Sequence, residues 1–246
     1  MLRQFVMNDV TIDSVFEGRL RVKQARLGYR FSMDAVVLAY FVGPLSSEKV
    51  LDLGTGCGII PLILAFRHEG VIVHGVEIQS ELARIAAENI NDNGMADRVR
   101  IHCIDMKEVT EAQTSGPVDL VIGNPPFHRV EAGRLNPNSQ RSVARHEIKV
   151  TLAQLIETAS RMLRDGGRFV SVFPVVRMVD MLQEMRRRGL EPKTLRVVHP
   201  KENGPAKLFL VEGIKAGRPG LDVPPPLVLY GASGEYTDEA ASMFLP

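Results

Sequence analysis

Short apolar runs alternate with longer amphipathic stretches over most of this chain of 246 residues. The apolar runs have the length and continuous hydrophobicity of strands that are buried on both faces. The stretches between them place apolar residues at helical spacing and carry Ser, Thr or Gly near their ends. Strands are predicted at residues 49–53, 71–76, 99–103, 118–122, 168–173, 194–199 and 208–213, and helices at residues 33–41, 57–67, 80–93, 151–163 and 175–188.

This alternation predicts a doubly wound α/β sheet with right-handed crossovers and helices on both faces. The predicted strands at 194–199 and 208–213 are joined by only about eight residues. Because a parallel crossover needs a dozen or more residues, we expect these last two strands to pair antiparallel. The length suits one domain that spans residues 1–246.

Both ends of the chain add segments to this alternating pattern. Residues 9–27 alternate apolar and polar side chains around Glu17-Gly18, which predicts a β-hairpin inside an N-terminal extension of residues 1–30. A proline-rich segment and a further short apolar run follow the last predicted strand of the sheet. We interpret residues 215–246 as a C-terminal extension.

Composition limits the classes of protein that fit. The formal net charge is +1, so overall charge gives no argument for a nucleic-acid partner. Cys57 and Cys103 form no C-x-x-C pair, which argues against a zinc site and against a secreted disulfide framework. The N-terminus lacks the apolar core of a signal peptide, and no run approaches the ~20 apolar residues of a membrane span. We therefore expect a soluble cytoplasmic protein without a bound metal.

A glycine loop follows the first strand of the alternating pattern. Asp52 is followed by Gly54, Gly56 and Gly58, a G-x-G-x-G spacing that differs from the G-x-G-x-x-G of dinucleotide-binding loops. Glycines at the carboxyl end of a strand let the backbone approach a ligand closely. Asp52 would repel a pyrophosphate but suits a ligand that carries an ammonium group.

Two more acidic residues follow the next two strands. Glu77 lies 21 positions after Gly56, where an acidic side chain can bind both hydroxyls of a ribose. Asp105 follows the third strand and can accept a hydrogen bond from an adenine amine. An ammonium group, a ribose and an adenine, taken in strand order, describe S-adenosylmethionine better than NAD. S-adenosylhomocysteine would then be the product.

The strand at 118–122 ends in the tetrapeptide Asn124-Pro125-Pro126-Phe127. Neither proline can donate a ladder hydrogen bond, and the residue before a proline is restricted to extended geometry. Asn124 is therefore held stiffly at the carboxyl end of the sheet, with an aromatic ring nearby. An amide beside a ring is suited to binding a flat group that carries an amine.

The glycine loop and the Asn-Pro-Pro-Phe motif together resemble those of class I S-adenosylmethionine-dependent methyltransferases. Within that class, the chain is similar to the group with an Asn/Asp-Pro-Pro-Tyr/Phe motif, which methylates planar nitrogens. The resemblance covers nearly the whole chain and implies a Rossmann-like sheet of seven strands in the order 3-2-1-4-5-7-6, with the seventh strand antiparallel. It also implies that Phe31 and Asp34 close over the cofactor.

Further segments resemble bacterial tRNA1(Val) adenine N(6)-methyltransferases. The resemblance implies methylation of adenine N(6) next to the anticodon of a tRNA, so that RNA would be the partner. The sequence does not fix the oligomeric state and leaves a monomer and a weak homodimer open. The segments that carry it are residues 24–34, 144–147, 199–201 and 227–237.

The motif suggests how a base would be held. The Asn124 side-chain carbonyl and the Pro125 backbone carbonyl can accept hydrogen bonds from the amine, and Phe127 can stack on the base. Transfer then depends mainly on positioning. Residues 128–149 are rich in basic side chains and form a candidate phosphate-binding loop. Predicted substrate contacts are Pro126, His128, Arg129 and Arg145.

Several alternatives remain open at the level of sequence. Phe127 followed by His128 resembles the motif of enzymes that methylate a guanine N(2) amine in ribosomal RNA. The planar amide of a protein glutamine would also fit the motif. A non-catalytic binding module is a third class, against which the presence of Asn124, Asp52 and Glu77 together argues.

Overall fold

The computed structural model describes residues 10–26, 30–124 and 151–245, which form a mixed sheet flanked by helices and a separate two-stranded hairpin. Its strands are β1 (Val10–Val15), β2 (Leu20–Ala25), β3 (Lys49–Leu53), β4 (Ile72–Glu77), β5 (Val99–Cys103), β6 (Val118–Gly123), β7 (Leu163–Pro174), β8 (Leu190–Lys201), β9 (Leu208–Lys215) and β10 (Leu227–Tyr230). Its helices are α1 (Met33–Phe41), α2 (Ile59–Arg67), α3 (Ser80–Asp92), α4 (Glu111–Thr114), α5 (Leu152–Met162), α6 (Met178–Arg187) and α7 (Asp238–Ser242), with short 3-10 turns at Met106–Glu108 and Val175–Arg177.

The strand order of the large sheet is β10-β8-β9-β7-β6-β3-β4-β5. When β3 is counted as the first strand, the seven strands from β3 to β9 follow the order 3-2-1-4-5-7-6 that the resemblance implies. β9 runs antiparallel to both of its neighbours, as predicted. The predicted count of seven was too low, because β10 adds an eighth strand that pairs parallel to β8.

Alternating side chains of the central strands fill two cores, one on each face of the sheet. On β3, Val50 belongs to the core that also holds α1, α2 and the hairpin, whereas Leu51 and Leu53 belong to the core under α5 and α6. Nearly every residue of β3 is buried, which explains why its sequence shows no polar face. The site-bearing strands are therefore fixed from both sides.

Most predicted helix boundaries agree with local chemistry. Thr151 caps α5 through a capping box with Gln154, and Gly94 adopts φ +69° just after α3. Two predictions were wrong. α2 begins at Ile59 and not at residue 57, because Gly58 before it has a left-handed backbone, and a 3-10 turn precedes Met178, so α6 begins later than predicted.

The predicted hairpin is present and its tip is anchored. Phe16 in the turn is buried, and its ring stacks on Phe66 with centroids 5.1 Å apart. The Arg67 guanidinium lies 5.0 Å from the Phe16 centroid and donates to the Met243 backbone carbonyl at 2.9 Å. The C-terminal end of α2 therefore holds both the hairpin tip and the C-terminal segment.

Among the described residues, no helix is long and apolar enough to cross a membrane.

The arginines at the end of α6 form ion pairs with Glu184, Glu191 and Glu157. They form the polar end of a helix, and their charge is compensated by these carboxylates.

Candidate active site

The carboxyl ends of β3, β4 and β6 meet at one edge of the sheet. Leu53 lies opposite Val76 on β4 and opposite Gly123 on β6. The residues that follow these positions are Gly54, Glu77 and Asn124. The backbone register therefore brings the glycine loop, an acidic residue and the motif asparagine to the same level of the sheet.

Left-handed backbone shapes the glycine loop. Gly54, Gly56 and Gly58 have φ angles of +80°, +59° and +82°, a region that other residues rarely adopt. At Gly58 an added Cβ would also lie 3.2 Å from the Ala86 Cβ on α3. Glycine is thus required at these positions by conformation and, at Gly58, by helix packing.

Glu77 is buried and supports the loop directly. Its Oε2 accepts a hydrogen bond from the Gly56 backbone N–H at 3.0 Å, and its Oε1 accepts one from the Gln79 N–H at 2.9 Å. Each carboxylate oxygen can accept a second hydrogen bond, so binding to a ribose stays chemically feasible. The loop-shaping contact to Gly56 gave no signal in the sequence.

Asp52 is the most unusual group of the site. It is 1% exposed, and neither carboxylate oxygen has a hydrogen-bond partner among the described residues. Burial raises its pKa to about 7; the nearby Thr55 hydroxyl opposes this rise and the Glu77 carboxylate adds to it. A buried carboxylate without a partner is costly, so this group fits a bound cation such as the ammonium of S-adenosylmethionine.

Asp105 follows the end of β5 by two residues, and the last residue of that strand, Cys103, lies opposite Glu77. Its carboxylate accepts from the Lys107 N–H and from the Lys107 ammonium, both at 2.9 Å. Although partial burial raises the pKa of Asp105, these hydrogen bonds and the lysine charge lower it overall. The carboxylate therefore stays ionised and can accept from an adenine amine.

Ile78 was not identified from the sequence. It follows Glu77 directly and leaves 44% of its surface exposed. An exposed apolar side chain at this position can pack against a flat ring. The available signal was an isoleucine directly after the acid at the end of a strand.

Asn124 is half-buried and follows a well-held strand end. The Gly123 carbonyl accepts a hydrogen bond from the buried Ser171 hydroxyl at 2.7 Å. A Cβ at position 123 would lie 2.9 Å from a Leu155 methyl carbon, so the glycine lets α5 pack closely against the strand. The remaining predicted motif and substrate residues, Pro125, Pro126, Phe127, His128, Arg129 and Arg145, lie outside the described residues.

Phe31 and Asp34 lie at the start of α1. The Phe31 backbone N–H donates to the Gln24 side chain at 2.8 Å, which ties this segment to the hairpin. Burial raises the pKa of Asp34, against the Ser32 hydroxyl, which lowers it. The Phe31 side chain is half-buried and packs against the core cluster that also contains Cys57 of the glycine loop.

The described residues contain no cluster of three or more His, Cys, Asp or Glu side chains that could hold a metal ion. The donor set instead consists of one unpaired carboxylate, a glycine loop and two further acids at the same sheet edge. With the strand order of the sheet, this arrangement defines a Rossmann-like methyltransferase.

The chain belongs to the methyltransferase small domain family, whose model matches residues 33–185. A protein from Bacteroides fragilis (strain YCH46) named tRNA1(Val) (adenine(37)-N6)-methyltransferase is 30% identical over 178 residues, or 72% of this chain and 74% of the relative. A protein of the same name from Pedobacter heparinus is 27% identical over 220 residues, or 89% of this chain and 91% of the relative.

Solved structures share the fold at low sequence identity. An Agrobacterium tumefaciens protein described as a predicted O-methyltransferase superposes with a TM-score of 0.68 at 21% identity, over 85% of this chain and 94% of its own. A geranyl diphosphate C-methyltransferase from Streptomyces coelicolor, solved with S-adenosyl-L-homocysteine, gives a TM-score of 0.54 at 16% identity, over 74% of this chain and 76% of its own. At these identities the likeness shows the fold alone.

Proposed function

We propose that this chain transfers a methyl group from S-adenosylmethionine to the exocyclic N(6) amine of an adenine next to the anticodon of a tRNA. The observation that carries the proposal is the position of Asn124. It directly follows β6, which pairs with β3, the strand that carries Asp52, whose carboxylate has no partner among the described residues. The names of the relatives support adenine in tRNA as the substrate.

On this proposal the cofactor half of the site is held by acidic groups. Asp52 pairs with the ammonium group of the cofactor, Glu77 binds its ribose and Asp105 accepts from its adenine amine. Ile78 offers an apolar surface for the adenine ring. The backbone of the glycine loop approaches the cofactor because Gly54, Gly56 and Gly58 have no side chains. Phe31 and Asp34 are assigned to the cofactor's cover.

The substrate half of the site is proposed to orient the target amine toward the cofactor. S-adenosylmethionine supplies a methyl group on a positively charged sulfur. The side-chain carbonyl of Asn124 and the backbone carbonyl of Pro125 would accept hydrogen bonds from the target amine and so direct the nitrogen lone pair toward that methyl group. The N–C bond would form as the S–C bond breaks, S-adenosylhomocysteine would leave, and the amine would lose one proton to solvent. Phe127 stacks on the base, worth ~1–3 kcal/mol by analogy with single-strand binders. In a structured RNA the base must first leave its stack.

The pKa of Asp52 predicts how cofactor affinity depends on pH. With a pKa of about 7 in the free protein, the group is mostly neutral at lower pH and must lose its proton to pair with an ammonium group. We expect the affinity for S-adenosylhomocysteine to rise about fivefold between pH 6 and pH 7 and to level off near pH 8, where an α-amino group loses its charge. Isothermal titration calorimetry measures this; an affinity that falls from pH 6 to pH 7 contradicts it.

The substrate assignment is tested by transfer of labelled methyl from S-adenosylmethionine to bulk tRNA, ribosomal RNA or release-factor protein, followed by nucleoside mass spectrometry. We expect N(6)-methyladenine in tRNA. Methylguanine in ribosomal RNA would move the target to the other exocyclic base amine, and label found only in protein would overturn the RNA substrate. No transfer to any of these acceptors would overturn the enzymatic function.

A further inference from the structure

Two asparagines of α3 bind the backbone of hairpin strand β2. Asn93 accepts from the Arg21 N–H at 3.0 Å and donates to the Arg21 carbonyl at 2.8 Å. One turn earlier, Asn89 accepts from the Lys23 N–H at 2.7 Å and donates to the Lys23 carbonyl at 2.9 Å. Each side-chain amide thus acts as a neighbouring strand residue would, and the hairpin is docked on α3 through its main chain.

Only one of the two asparagines also reaches the glycine loop. The Asn89 amide donates to the Cys57 carbonyl at 2.9 Å, and the residue is fully buried. The Asn93 amide makes its additional hydrogen bond within its own helix, to the Asn89 carbonyl. Asn89 therefore joins three segments, β2, α3 and the glycine loop, whereas Asn93 joins two.

A second buried amide links the hairpin to the start of α1. Gln24 on β2 is 1% exposed, and its Oε1 accepts the Phe31 N–H at 2.8 Å. Its Nε2 donates to Asp13 on β1, which also pairs with Arg30 at 2.7 Å. The hairpin is thus hydrogen-bonded directly to the segment at Phe31 and, through Asn89 of α3, to the glycine loop. We assign both of these segments to the cofactor.

We propose that the hairpin is part of the cofactor site. Asn89 of α3 and Gln24 of β2 are positioning residues, which hold the glycine loop and the segment at Phe31. This rests on the proposed binding of S-adenosylmethionine. A loop with three left-handed glycines has much backbone freedom to lose when it orders around a ligand. A hydrogen bond that holds the Cys57 carbonyl in advance lowers that cost at the moment of binding. Gln24 does the same for Phe31.

A matched pair of variants tests the role of Asn89. Asn89→Ala and Asn93→Ala both remove a side-chain clamp on β2, but only the first frees the Cys57 carbonyl. We expect Asn89→Ala to weaken S-adenosylhomocysteine binding about tenfold, while Asn93→Ala changes it less than about twofold. In the ligand-free proteins, we expect the Gly58 N–H, which donates to Thr55 in the loop, to exchange faster in Asn89→Ala than in Asn93→Ala.

A measurement on the unaltered protein decides the matter if Asn89→Ala fails to fold. Amide exchange followed by NMR should show that saturating S-adenosylhomocysteine slows exchange at the Lys23 and Phe31 N–H groups, which donate to Asn89 and Gln24. The Arg21 N–H, which donates to Asn93, should be unaffected.

Two results would overturn the proposal. One is an equal loss of ligand affinity in the two alanine variants, and the other is unchanged exchange at Lys23 and Phe31 while the glycine loop itself becomes protected. If the unaltered protein does not bind S-adenosylhomocysteine at all, the proposed function fails and this inference fails with it. Binding of the ligand without the expected difference between Asn89 and Asn93 leaves the proposed function intact.

Discussion

Replacing Asp52 with asparagine is expected to stabilise the cofactor-free protein and to abolish cofactor binding. The folded state raises the pKa of this carboxyl group from 3.8 to about 7, so its ionisation disfavours folding. This loss in the free energy of unfolding is absent below about pH 4 and grows as the pH rises to 7. At about 1.36 kcal/mol per pKa unit, the variant should gain at most about 4 kcal/mol in its free energy of unfolding at pH 8, and almost nothing at pH 4.

Denaturant unfolding at the two pH values measures this gain, and calorimetry with S-adenosylhomocysteine measures the loss of binding. Asp119→Asn is the matched control, because its carboxylate is paired with Arg164 and the Lys49 N–H and should lose stability on the same change. An Asp52→Asn protein that is less stable than the unaltered protein at pH 8, or that binds the ligand with unchanged affinity, would contradict the prediction. The Asp52 carboxylate would then not bind the ammonium group of the cofactor.

Asn124→Ala is expected to lower the rate of methyl transfer about 10²–10³-fold while cofactor affinity stays within about twofold. Only Asn124 of the described residues is assigned to the target amine, and losing one preorganised hydrogen-bonding group at a reacting centre costs about 10²–10³ in rate. Single-turnover transfer to tRNA, together with calorimetry for the cofactor, separates the two effects.

Asn124→Asp serves as the control for this variant, because it keeps an oxygen acceptor at the same place and should retain part of the transfer rate. Equal losses of transfer and cofactor affinity in Asn124→Ala would mean that Asn124 supports the cofactor and does not orient the amine.

The strands of the sheet could be predicted because their signals are local and repeated, whereas their order was implied by the family resemblance. Continuous apolar runs gave the buried strands, and the short connection before Leu208 gave the antiparallel pair. The start of α5 at Thr151 could be predicted for the same reason, because its capping box consists of four consecutive residues. The apolar run of β10 is visible in the sequence, but its place beside β8 depends on a long connection that leaves no periodic pattern.

The residues of the candidate site were predictable where they follow strands. Asp52, Glu77 and Asn124 stand at the ends of apolar runs, so parallel pairing brought them together. The contacts of Asn89 could not be predicted, because a side-chain amide that binds a backbone 66 positions away has no sequence pattern. For the same reason, the hydrogen bond from the Ser171 hydroxyl to the Gly123 carbonyl could not be predicted, since the two residues are 48 positions apart.

The segment that leads into β10 also affects whether molecules of this protein aggregate through the edges of their sheets. Strand β8 would otherwise present its outer edge to another chain. Asp222 pairs with the beginning of β8 and β10 pairs with its end. Between them, Pro224, Pro225 and Pro226 have no N–H groups to offer a neighbouring strand. The sheet thus ends in a short strand next to a stretch without donors, which resists edge-to-edge aggregation.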